Sequence, residues 1–343
     1  MRMSDHTPRP TLARRTLLAA AVAAPLARPA IVRAQGKIVL KYGTDNPMDN
    51  PLNIRLSEAF GRISKETNGA VEIQLFPDSQ LGSDPDMLSQ LRSGALDMFT
   101  LTTQILARVV PVCSITGMPF VFRSNTEVWA AMDGDLGAHM RGEIAKAGLF
   151  AQEKIWDLSW KTMTSSKQEI HKPEDLKNFK IRVPAGALLV SFFKALDASP
   201  TTINSNEAYT ALQTGVVDGM EVPLMTFETS KFYEVQKSVS LTRQMWDGEW
   251  SLANGATWKN LPADIRTVIS KHLDQSGMQQ RDDVFAREAQ VAAVLPKRGL
   301  PVFTVDQAPF HARLQNVGFY KDWKAKYTPQ AWALLEKYTG PIA

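Results

Sequence analysis

Leu91-Arg92-Ser93-Gly94-Ala95-Leu96-Asp97 and Leu212-Gln213-Thr214-Gly215-Val216-Val217-Asp218 give one instruction twice in the same chain. In each, a helical stretch runs out, a glycine supplies the left-handed cap, and a short apolar run enters a strand. Upstream of the first copy, Asp84-Pro85 opens a helix carrying Met87, Leu88 and Leu91, and the strand after it is expected over Ala95–Thr100. Further back, Val71, Ile73 and Leu75 alternate with Glu72 and Gln74 as a half-buried strand would. Leu56, Ala59, Phe60 and Ile63 recur at helical spacing until Asn68-Gly69, and Ile38 to Tyr42 reads as the opening strand. Strands alternating with helices imply a mostly parallel sheet covered by helices.

A proline-bearing loop precedes each of the two helices, at Pro77 and Pro200, and Asn204 with Glu207 predicts a capping box on the second. Taken alone, the pair of turns fits either two related α/β lobes or two ordinary helix-to-strand turns. Residues 262–295 carry Ile265, Val268, Ile269, Leu273, Val284, Phe285, Val291 and Leu295 and read as one long helix; Phe319 to Tyr338 reads as aromatic helix. No low-complexity segment or flexible linker separates the parts, so two lobes would share several short crossovers.

The first 34 residues stand apart. Arg14-Arg15, the apolar run Leu17 to Ala24 and the small-residue end Val32-Arg33-Ala34 read as an export signal cut after Ala34. Adjacent arginines followed by Thr16-Leu17-Leu18 resemble a twin-arginine signal. These residues hold six arginines against one acid, Asp5, out of 39 basic and 35 acidic residues in the whole chain, so the remaining 309 residues carry 33 basic and 34 acidic. A net charge near zero leaves no basic surplus for nucleic acid. A chain of this length suits two lobes, and no apolar run beyond the signal is long enough to cross a bilayer. The single cysteine, Cys113, reads as a small buried hydrophobe.

Catalytic signatures are missing. His6, His139, His171, His272 and His311 are scattered without metal-ligand spacing, and there is no GxSxG elbow, P-loop or GxGxxG. The expectation is a protein that binds, with no cofactor and no metal site.

Lys180-Ile181-Arg182-Val183-Pro184 is the sharpest local feature. Phe179, Ile181 and Val183 alternate onto one face, and Pro184 ends the ladder. Arg182 therefore sits near the carboxyl end of a strand, where open α/β sheets place their ligand crevices. A guanidinium fork can hold a carboxylate through two parallel hydrogen bonds. Position alone also allows a surface arginine in a weak ion pair.

The chain resembles the solute-binding subunit of the tripartite ATP-independent periplasmic (TRAP) transporters, the DctP-like family. The resemblance runs through Lys180 to Pro184, Glu207-Ala208-Tyr209, Ala211 to Gly219, Glu221, Pro223 and Lys231-Phe232-Tyr233-Glu234-Val235. Supporting blocks are Phe76-Pro77, Gln80-Leu81-Gly82, Pro119-Phe120-Val121-Phe122 and Pro173-Glu174-Asp175-Leu176.

The resemblance implies an α/β, two-lobe periplasmic binding fold with crossover strands and a long helix spanning both lobes. The expected division is 35–158 for lobe I, with part of 245–300 returning to it, 159–244 for lobe II, and 262–343 bracing both. It implies that Arg182 clamps a ligand carboxylate, and that a monomer delivers the ligand to a small and a large integral membrane permease subunit in the periplasm.

Lys161 stands where some members have a second arginine, and Glu221 is expected to contact the ligand. Val222 replaces an asparagine common in acid-specific members, and Ser205 replaces an aromatic. Trp246, with Trp250, stands where relatives vary with ligand. Topology places Asp45-Asn46 and Thr102-Thr103 on the cleft. One clamp with Val222 and Trp246 suggests a monocarboxylate with an apolar or aromatic body. The competing readings are the binding protein of an ATP-driven importer, an extracytoplasmic sensor, and a periplasmic enzyme acting on carboxylates.

Overall fold

The computed structural model describes residues 36–342, and the expected export signal lies outside the described residues. Among the described residues, eleven strands form one connected, branched hydrogen-bonded sheet. They are β1 (Ile38–Gly43), β2 (Val71–Phe76), β3 (Met98–Thr102), β4 (Leu149–Ala151), β5 (Trp156–Ser165), β6 (Lys180–Val183), β7 (Ser199–Thr202), β8 (Gly219–Pro223), β9 (Ser238–Leu241), β10 (Trp246–Asn254) and β11 (Val302–Thr304). Their main order is β2-β1-β3-β10-β5-β8-β6-β7, with β4 on β10 and β9 between β5 and β11.

Two parallel triplets lie towards the ends of this path: β2-β1-β3, and β7-β6-β8. Between them, β10 runs antiparallel to β3 and β5. β5 joins the halves, pairing with β10 through Trp156–Trp160 and with β8 through Lys161–Ser165. The crossover carries a bulge: the register shifts between Asp247 and Gly248, and Ser159 takes a positive φ of 76°. A bulge of this kind bends a strand and lets it leave one sheet for another. Gly248 is required there, because a Cβ would run into the Trp246 ring and come within 2.8 Å of Ile155.

The repeated turn forms both times, with Gly94 at φ 81° and Gly215 at φ 71°. In each, two amides fold back onto one helical carbonyl: Ala95 and Leu96 onto Gln90, Val216 and Val217 onto Ala211. The aspartate that follows does the same work in both halves. Asp97 Oδ2 accepts the Lys41 amide of β1 at 2.8 Å, and Asp218 Oδ2 accepts the Lys180 amide of β6 at 3.2 Å. The matching turn, aspartate and strand pairing favour related halves over coincidence.

Several local expectations are corrected. The strand expected from Ala95 begins at Met98, because the amides of Ala95 and Leu96 are spent closing the helix. Pro200 lies in the edge strand β7, where a missing N–H is tolerated. Asn204 is the N-cap in backbone terms, but its side chain caps nothing; the Glu207 amide bonds the Asn204 carbonyl at 3.1 Å instead. The aromatic end is two helices, Phe319–Lys324 and Pro329–Thr339, since Thr328 with Pro329 starts a new helix.

The long helix runs from Ala263 to Val294 as expected. Arg55 forks onto Asp283 at 2.6 and 2.9 Å, tying it to helix Pro51–Glu66. The Gln280 amide pairs with both backbone groups of Asp157 at the β5 bulge, at 2.7 and 2.9 Å. Arg287 reaches Glu228, on the helix after β8, at 2.9 Å. The C-terminal helices also touch both halves: Tyr320 bonds the Pro119 carbonyl and Trp323 the Ser191 hydroxyl. Cys113 is fully buried in the largest apolar cluster.

Candidate functional site

The carboxyl ends of strands from both halves converge on one cavity. β1 delivers Asp45 and Asn46, β3 delivers Thr102, β6 delivers Arg182 and Pro184, and β8 delivers Glu221, Val222 and Pro223. The crossing strands add Leu158 and Lys161 from β5 and Glu249 from β10; Asp84, Ile105, Ser205 and Thr226 complete the wall. The β1 loop is pinned from within. Asn53 donates to the Asn46 carbonyl at 2.7 Å, and Asn50 caps the following helix through the Leu52 amide.

The cavity is tight: the centre of a water-sized sphere can move through about 50 Å³. A larger groove of about 650 Å³ lies around the exposed Phe285 on the long helix. Size does not decide between them, because the smaller cavity alone gathers buried charge.

Arg182 is 7% exposed, and its Nε donates to the Ile203 carbonyl at 2.9 Å, which leaves the fork of Nη atoms for other partners. Burial pulls its pKa down, while the nearby Glu221, Asp84 and Asp45 carboxylates act in the opposite sense. Lys161 Nζ stands 3.4 Å from both Glu221 and Asp247. Burial disfavours the ammonium, but those two carboxylates outweigh it and hold its pKa above the ordinary value. Burial likewise raises Glu221 and Asp247, with Lys161 working against the rise. Glu249 and Asp84 are raised well above the usual carboxylate range, first by burial and then by Asp45 beside them. Asp45 is raised by burial, against the pull of the Ser205 hydroxyl and Arg182.

Eight expected residues come together here: Asp45, Asn46, Thr102, Lys161, Arg182, Ser205, Glu221 and Val222. Trp246 does not. It packs edge-on against Trp129 and donates its indole N–H to Asp157 at 2.9 Å, so it supports the bulge. Trp250 is fully buried and also off the cavity. Thr103 sits one layer back, donating to Asp247 at 2.5 Å.

Sequence reasoning missed Asp84 and Glu249. Asp84 reads as an ordinary helix-start acid. Asp247 and Glu249, acids at alternating positions of a strand otherwise full of tryptophan and small residues, were the available signal for the second. Their presence corrects the expectation of an apolar pocket: the wall holds four carboxylates beside two cations.

A sheet of two related halves, crossed by shared strands and closed over a buried guanidinium, defines a two-lobe solute-binding protein. The family model described as "Bacterial extracellular solute-binding protein, family 7" matches residues 43–322, and the chain belongs to that family. The 2,3-diketo-L-gulonate-binding periplasmic protein YiaO of Escherichia coli is 28% identical, covering 87% of this chain and 90% of its own. The sialic acid-binding periplasmic protein SiaP of Vibrio cholerae is 29% identical, covering 76% and 80%. A TRAP periplasmic solute-binding protein from Xanthobacter autotrophicus, solved with bound β-D-galacturonate, is 28% identical with a TM-score of 0.82, covering 88% and 99%.

Proposed function

We propose that this protein is an extracytoplasmic receptor that captures a small organic acid and hands it to a TRAP permease of one small and one large membrane subunit. Arg182 is the clamp for the ligand carboxylate, with Lys161, Glu221, Ser205, Asp45 and Thr102 around it. The observation that carries this reading is a buried guanidinium at the carboxyl end of β6, its Nε held by Ile203 and its fork facing a cavity shared by both halves. Names of relatives add support, since the chain is similar to periplasmic proteins that bind sugar acids, dicarboxylates and sialic acid.

The mechanism is a shift of population. In the open form Arg182 is hydrated; a ligand that touches both halves favours the closed form. Closure removes the carboxylate and guanidinium from water together, so each needs the other to avoid an unpaired buried charge. Nothing in the wall has to react. The protein is a binder, and export to the periplasm by the residue 1–34 signal completes the reading.

A thermal-shift panel of organic acids on the chain from Gln35 to Ala343, run beside Arg182→Ala, tests it. One class of acid should stabilise the wild type and leave the variant unmoved. Equal stabilisation of both would refute the clamp.

A further inference from the structure

Acidic side chains outnumber basic ones around the cavity; burial and this crowding raise the pKa of Glu249 and Asp84, and a cation beside them would favour their ionised forms. Asp45, Asp84, Glu221 and Glu249 line it and Asp247 stands directly behind, against only Lys161 and Arg182. Lys161 is already shared between Glu221 and Asp247. A ligand carboxylate on Arg182 would bring a negative charge to a wall that already holds more acids than cations.

The acids left over are deeply placed. Glu249 is 1% exposed; Asn46 approaches its Oε1 at 3.4 Å, and Oε2 takes no hydrogen bond from the protein. Glu221 has Lys161 3.4 Å from its Oε2 while its Oε1 is without a donor, and Asp84 Oδ1 is buried without a donor. Buried acceptors without donors are costly, so these atoms call for a donor from the ligand.

Three kinds of donor are conceivable. A metal ion needs a convergent ligand set, and among the described residues no three His, Cys, Asp or Glu side chains provide one. Ligand hydroxyls could donate to the same oxygens, ionised or not, but they bring no charge to a wall in which acids outnumber cations. A cationic nitrogen supplies donors and the missing positive charge together.

We propose that the ligand of this cleft is a zwitterion, carrying a cationic nitrogen for Glu249, Asp84 and Asp45 as well as the carboxylate held by Arg182. The inference rests on the clamp reading above and narrows it to amino acids, imino acids and betaines. Asp45 and Asp84 come from the β1 loop and the start of helix Asp84–Ser93, and Glu249 from β10; Lys161, Arg182 and Glu221 come from β5, β6 and β8. The acids and Arg182 thus share one small cavity, within reach of two ends of one small ligand.

The test is calorimetric titration of the purified protein with matched probes that differ in one group. The sets are norvaline, 2-hydroxypentanoate and pentanoate; and 5-aminopentanoate, 5-hydroxypentanoate and pentanoate. The standard amino acids, proline, glycine betaine, galactonate, galacturonate and pentylamine complete the panel. The expected result is an ammonium-bearing acid that binds at least ~30-fold tighter than its hydroxyl twin, the scale of one charge-assisted contact. Glu249→Gln and Asp45→Asn should shrink that ratio about tenfold. Zwitterion binding should also hold or strengthen from pH 5.5 to 8, as the facing acids ionise.

Galactonate, galacturonate or a hydroxyl twin binding more tightly, with Arg182 still needed and affinity rising at low pH, would overturn the zwitterion and leave the clamp standing. Pentylamine matching the amino acids, with Arg182→Ala indifferent, would overturn the clamp itself. Silence from every nitrogen-bearing acid also counts against the proposal.

Discussion

Replacing Arg182 with alanine removes the one guanidinium in the cavity wall. The side chain is buried, and Glu221, Asp84 and Asp45 all act on it. Breaking a buried ion pair by deleting one partner costs ~3–5 kcal/mol. At ~1.4 kcal/mol per factor of ten, Kd should rise by roughly 150- to 4,000-fold. Arg182→Lys keeps the charge but loses the fork, so it should fall between the two.

The assay is calorimetric titration with whichever acid stabilises the wild type most. Thermal unfolding of each variant shows that it is folded. At 100 times Kd a ligand adds ~2.7 kcal/mol. With an unfolding entropy of ~2.1 cal/mol/K per residue, ~0.65 kcal/mol/K for this chain, that raises Tm by about 4 °C. The shift should vanish in Arg182→Ala at the same ligand concentration. A folded variant whose Kd stays within about threefold of wild type would refute the reasoning, since so small a change is below the cost of any buried pair.

Lys161→Met leaves Glu221 and Asp247 buried without their shared cation; urea unfolding at neutral pH should show a loss of ~3–5 kcal/mol, and a loss under ~1 kcal/mol would mean the pairs are idle. Gly248→Ala puts a Cβ into a Trp246 ring already fixed by Asp157, and should destabilise by about 1–3 kcal/mol in the same measurement. Burial pushes the Asp157 carboxyl up to about 7, against the Trp246 indole and the Ser159 amide. A raised carboxyl contributes stability that is complete below its unfolded pKa of ~3.9 and is lost as pH rises through the folded value, here up to about 4 kcal/mol. Asp157→Asn keeps an acceptor for Trp246 and should flatten the decline in stability between pH 4 and 8; an unchanged slope would reject Asp157 as its source.

The fold was legible where local chemistry and tertiary structure agree. Glycine caps at Gly94 and Gly215 need no neighbour to explain them, and the apolar spacing of the long helix survives in the folded chain. The strand start at Met98 was not legible, because it depends on which carbonyl the Ala95 and Leu96 amides choose. Nor was the β5 bulge, where Ser159 takes a backbone angle that no residue type announced.

Arg182 could be found because strand alternation and a terminal proline fix its place. The aromatic residues misled in the same region. Trp246 looks like a pocket wall by composition, yet its indole N–H has a buried acceptor in Asp157, a partner nearly ninety positions away. Glu249 was hidden for the converse reason. Acids alternating along a strand, as Asp247 and Glu249 do, read as a solvent-facing side, yet in the fold both are buried.

The most direct test of the clamp is a crystal structure of the protein with its tightest-binding acid. Both carboxylate oxygens are expected within about 2.7–3.1 Å of the two Arg182 Nη atoms, with the body of the ligand between Asp45 and Glu249. A carboxylate bound to Lys161 alone, or a ligand seated in the groove at Phe285, would contradict it.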